Sequence, residues 1–183
     1  LGDQSNYKVV IVPEKLSAEF GDRTAIAQFS SEESEGTSRI VFDNSGITLD
    51  HLDGKLGDGV FAIGGNISTD QRVHGTFQLD WDGPSDDQSL FAVLPPIVGD
   101  TLIAMEIGEG TSKVDCGEVT LLGTSWSELT IDFEGDIQLQ DVSMNAGIPL
   151  SNIYGSAGVE GIYYEEKLES LQLHLKLDKM TAV

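Results

Sequence analysis

Basic residues are scarce in this chain. Ten Lys and Arg stand against 31 Asp and Glu in 183 residues, a formal net charge of −21. Nucleic-acid phosphates are neutralised by Lys and Arg, so the balance argues against a nucleic-acid ligand. It argues equally against electrostatic docking on anionic lipid headgroups. Cysteine is reduced to Cys116 alone, which excludes an intramolecular disulfide and leaves the redox compartment unread. A single Cys in a strand-like run reads as a small buried hydrophobe. No apolar run reaches the roughly 18–20 residues that a membrane-spanning helix needs, and no signal peptide is recognisable. The first residue is Leu1 and not Met, from which we expect a piece of a longer protein whose anchor would lie elsewhere.

Catalytic chemistry is scarce too. The three histidines, His51, His74 and His174, are scattered, and no pair has metal-ligand spacing. No Ser sits in a Gly-x-Ser-x-Gly elbow, and Cys116 has no His nearby in sequence. Gly54, Gly57, Gly59, Gly64 and Gly65 lack the Lys and Ser of a phosphate loop and run into a strand, so they read as bulge and turn residues. Asp80, Asp82 and Asp86 are a candidate calcium loop, because hard cations want several carboxylates on a tight turn. Against it, the full twelve-residue spacing and the closing Glu are missing, and an acidic hairpin loop explains the same residues. No enzyme and no cofactor are expected.

What is present is alternation. Val73, Phe77, Leu79 and Trp81 share one side of a strand, with His74, Thr76, Gln78 and Asp80 opposite. Ile131, Phe133, Ile137 and Leu139 face away from Asp132, Glu134, Asp136 and Gln138. Leu171, Leu173, Leu175 and Leu177 alternate with Gln172, His174, Lys176 and Asp178. Period two over such lengths predicts antiparallel strands with one apolar and one polar face. Pro95 and Pro96 open the one predicted helix, near 95–106, with Leu94, Ile97, Val98, Leu102 and Met105 as an apolar stripe. Asp82 to Gln88 reads as loop, as does the acidic run Ser30 to Gly36.

The organising stretch is Gly46 to Gly65, read as a strand, a break at Asp53-Gly54 and a second strand. It recurs ninety residues later as Asp136 to Gly155. The offset aligns Ile47 with Ile137, Leu49 with Leu139, Leu52 with Val142, Gly57 with Gly147, Ile63 with Ile153 and Gly65 with Gly155. The fold predicted is all-β: an extended, twisted antiparallel groove or a sandwich-like meander of two related repeats. Residues 1–92 form the first, its opening 38 residues fitting least, and 93–183 form the second, which begins with the helix. Val73, Phe77, Leu79, Ile131, Phe133, Ile137, Leu139, Leu171, Leu173 and Leu175 are candidates either for the lining of a lipid-accepting groove or for an ordinary closed core.

The phrase GITLDHLDGKLGDGVFAIGGNI followed by VHGTFQLDW, its second copy DIQLQDVSMNAGIPLSNIYGSAGVEG, and the Pro-led break LPPIVGDTLIAMEIGEGTSKVD resemble the repeats of the AsmA-like and TamB-like bacterial envelope proteins. The resemblance spans most of Arg39 to Leu177. It implies a non-enzymatic, taco-like β-groove in the periplasm, anchored to the inner membrane outside this segment. Phospholipid or another lipid, together with adjoining repeats of a longer chain, would be its partners. The rival expectation is a secreted β-sandwich binding or adhesion module with acidic, calcium-loaded loops. Geometry separates the two: apolar faces lie open in a groove and closed against each other in a sandwich.

Overall fold

The computed structural model describes residues 7–20, 23–29, 38–69, 72–94, 96–125, 128–164 and 167–182. The predicted Ser30–Gly36 loop lies outside them. Eleven strands form one antiparallel sheet. In chain order they are β1 (Lys8–Ile11), β2 (Lys15–Phe20), β3 (Arg23–Phe29), β4 (Arg39–Asp43), β5 (Gly46–Leu56), β6 (Gly59–Ser68) and β7 (Val73–Pro84), then β8 (Thr111–Gly123), β9 (Leu129–Asn145), β10 (Pro149–Tyr164) and β11 (Lys167–Ala182). Strand order across the sheet is β1-β4-β5-β6-β7-β8-β9-β10-β11, and the β2–β3 hairpin joins where β3 pairs the end of β5. From β4 onward this is a meander, as expected from short turn signals between alternating segments. No second sheet faces it among the described residues, so the sandwich-like alternative is set aside in favour of a single open sheet.

Two helices, not one, interrupt the meander: α1 (Gln88–Val93) and α2 (Pro96–Ala104). The stretch read as loop up to Gln88 contains the missing signal, Asp87. Its carboxylate accepts the Ser89 N–H at 2.8 Å and caps α1. Leu94 is extended at φ −79°, ψ 155°, the conformation that Pro95 imposes on its predecessor, so α1 ends before the prolines and α2 starts at Pro96. Ile97 and Val98 of the predicted apolar stripe have side chains outside the described set.

The predicted break at Asp53-Gly54 is also displaced. β5 runs through both residues, pairing Asp53 with Ala62 and Gly54 with Phe61, and the chain reverses at Gly57-Asp58. What interrupts β5 is a bulge between Leu49 and Leu52, where His51 takes φ 50°. Ninety residues on, the β9–β10 pair has the same irregularity. Leu139 pairs Gly155, Val142 pairs Ile153, and Asp141 between them has φ 58°. Gly57 and Gly147 have φ 62° and 86°, and Gly65 and Gly155 have φ 155° and 157°. An unusual backbone conformation recurring three times at one offset is what a repeated hairpin requires. β10 runs unbroken from Pro149 to Tyr164.

The best-packed region is at one side of the sheet. Ala25, Leu56, Phe61, Trp81 and Ala92 form a buried cluster, with Ala27, Phe29, Ile63, Leu90, Val93 and Val114 against it. Phe29 and Phe61 meet edge to face at 5.5 Å. Thus α1 lies on the sheet over β3, β5, β6 and β7. Phe91 is also buried, which contributes about 2 kcal/mol.

Candidate functional site: an uncovered apolar face

Register decides which side chains share a face, because cross-strand partners point the same way. Following partners from edge to edge gives one row of nine: Ile11, Ile40, Leu49, Gly65, Phe77, Val119, Phe133, Gly161 and Leu171. Every member is aliphatic, aromatic or glycine. Two rows towards the helices, beyond the row of Ile63, Leu79 and Cys116, stand Phe61, Trp81, Val114, Ile137, Ala157 and Leu175. The row on the other side includes Ile67, Gly75, Leu121, Ile131 and Tyr163. Leu79 pairs Cys116 and Ile63, Leu139 pairs Gly155, and Val159 pairs Leu173. Val73 pairs Gly123, in the same phase along β7 as Phe77. All ten sequence-derived candidates therefore stand on one face.

The opposite face is acidic. Asp80, Asp115 and Asp136 are cross-strand partners in succession, and so are Glu118, Glu134 and Glu160. Like charges directly opposite one another destabilise a pair, so nothing about strand pairing itself favours this arrangement.

Cover on the apolar face is uneven. Near α1, Phe61 and Trp81 are buried. Along β9, Ile131, Phe133, Ile137 and Leu139 are half-buried, in step with exposed Asp132, Glu134, Asp136 and Gln138. At the β11 edge Leu171, Leu173, Leu175 and Leu177 are 49, 54, 59 and 42% exposed. The opposite edge is open as well, with Val9, Val10 and Ile11 exposed. A contiguous apolar surface of this kind marks an interaction site more often than a single exposed Leu does.

The bulges shape this face and are held by specific bonds. Ser38, fully buried, donates its Oγ–H to the His51 carbonyl at 2.8 Å and accepts the Asp53 N–H at 3.2 Å. At the second bulge the backbone does the same work: the Ser143 N–H donates to the Glu109 carbonyl at 3.0 Å, and the Gly108 N–H to the Ser143 carbonyl at 2.9 Å. Val142 and Ile153 are buried there, each 1% exposed. Trp81 is the unusual member of the lining. Its ring lies against Gly59, where a Cβ would sit 2.5 Å from Nε1, and the buried Nε1–H has no hydrogen-bond partner among the described residues. An unpaired buried donor costs about 1–3 kcal/mol.

Several residues that line the face were not singled out in the sequence. Val114, Val119 and Leu121 are hidden by a bulge between Asp115 and Glu118 that shifts the period of β8. Gly155, Ala157, Val159 and Gly161 alternate too, but with side chains too small to register as an apolar stripe.

The calcium candidates do not converge. Asp80 and Asp82 lie along β7 opposite Asp115 and Lys113, Asp86 is in the turn before α1, and no group of three metal-ligating side chains forms among the described residues. His74 and His174 belong to different strands, and His51 Nε2 lies 3.6 Å from the carboxylate of its neighbour Asp50, on the surface. Cys116 is half-buried. Burial foremost, then the carboxylates of Asp115 and Asp80, pushes its thiol above the usual range, the opposite of nucleophile activation. No described helix is long and apolar enough to cross a membrane. Comparison of the chain with family models, curated proteins and solved structures found no match.

Proposed function

We propose that this chain is a non-enzymatic segment of a lipid-handling β-groove, whose apolar face receives acyl chains while its acidic face meets water. The observation that carries the reading is the nine-residue apolar row crossing the sheet from β1 to β11 with no opposing sheet among the described residues. A sliding acyl chain needs a continuous apolar path and no fixed polar partner. Alternating strands supply one, because removing alkyl surface from water is non-directional and scales with area. Both open edges suit a longer sheet in which neighbouring repeats continue the path. The AsmA-like resemblance supports the same reading and adds a periplasmic setting, in a protein held at the inner membrane by another part of its chain. Phospholipid is the partner class it favours.

Native mass spectrometry of the chain purified from a bacterial envelope tests the proposal. We expect co-purified phospholipid on the wild type, and its loss from Leu173→Lys, a substitution at an exposed position of the apolar face. A lipid-free wild-type protein, or equal lipid on both proteins, would contradict it.

A further inference from the structure

Resting on the groove reading above, we propose that α1 is an intramolecular plug: it occupies the stretch of apolar face at Leu56, Phe61 and Trp81 and is displaced when an alkyl chain enters. The helix has six residues, too few to be stable by itself, so its position depends on what it touches. Ala92 is buried in the cluster, and Leu90 and Val93 pack against it, presenting to the sheet the kind of surface that an acyl chain would present.

The two-helix segment that carries the plug is tethered at both ends by polar contacts that do not involve the apolar face. At its start, the nine-tenths buried Asp87 carboxylate accepts the Ser89 N–H and, across the β5–β6 turn, the Asp58 N–H, both at 2.8 Å. Gly57 in that turn leaves the room, since a Cβ there would run into the Asp87 carboxylate. Beyond α2, the Asn145 N–H donates to the Met105 carbonyl at 2.7 Å, and Asn145 Nδ2 to Glu106 at 2.9 Å. The helices can therefore leave the face while their ends stay attached. Beneath them the unpartnered Trp81 Nε1–H makes the covered state imperfect, and uncovering the ring lets water reach that donor. With α1 seated, the row through Phe61 and Trp81 is covered while the nine-residue row stays open; with α1 released, that covered row is uncovered as far as β3.

The test measures binding of a dansyl-labelled undecanoate to the whole chain, with Trp126→Phe as background so that Trp81 alone reports. Asp87→Ala removes the tether, and Leu90→Ala weakens the seat while leaving the tether. For both we expect apparent Kd to fall by at least about threefold, because a closed fraction no longer competes with the probe. Trp81 emission should shift to the red in the free variants and return towards the blue when the probe binds. Probe binding by the wild type that neither variant strengthens overturns the plug and leaves the groove. No binding by any of the three overturns the groove reading and the plug with it. A folded Leu90→Ala, judged by unchanged β-sheet circular dichroism, decides the matter if Asp87→Ala fails to fold.

Discussion

Single residues explain where the chain bends and where it reacts. Asp43 closes the β4–β5 turn: its Oδ1 accepts the Ser45 hydroxyl at 2.6 Å and the Ser45 N–H at 2.8 Å. The hydroxyl bond foremost, then the amide, holds the carboxyl below its ordinary value of 3.8. A depressed folded-state pKa means stability that is present above the unfolded value and lost as pH falls through the folded one. Ser45→Ala should therefore lower the melting temperature at pH 6 more than at pH 2.5, and a pH-independent difference would refute the assignment. This turn was legible in Asn44-Ser45-Gly46. Ser38 was not: a lone Ser before a strand gives no hint that it fills a bulge thirteen residues on. Asp87 was missed for a related reason. Its role depends on Asp58, which is distant in sequence and comes near only when β5 and β6 pair.

At the scale of elements, the repeated hairpin is the most informative feature. Its existence was legible because glycines and aliphatics recur at one offset. The bulge itself was not, because His51 and Asp141 share no side-chain chemistry and only their backbones agree. A β-branched residue at a left-handed position is strained by about 1–2 kcal/mol. We expect His51→Val and Asp141→Val to destabilise the protein by similar amounts in that range, measured by urea unfolding, while the same change at Gln138, an outward position of regular β9, has little effect. A neutral outcome at either bulge would show that the two hairpins do not share this device. The long strands were read well, as clean period-two alternation is unambiguous over ten residues. Of the helices, the one expected near 95–106 is present as α2 and α1 was missed. Pro95-Pro96 announces α2, but α1 is fixed by a cap and by contacts with β2 and β3 that no local pattern contains.

For the whole molecule, an apolar face and an acidic face are separated by nothing thicker than one sheet. The sequence shows which residues alternate and leaves open what opposes them, since a closed core and an open groove have the same period. Register and strand order answer that question by laying the ten candidate apolar residues on one surface, with no second sheet above it among the described residues. The direct test of that asymmetry is photocrosslinking to phospholipid in cells, with a photoreactive residue placed in turn at inward positions 133 and 173 and at their outward neighbours 132 and 172. The account predicts lipid adducts at 133 and 173 and none at 132 and 172. Adducts on both faces alike, or on neither, would contradict it.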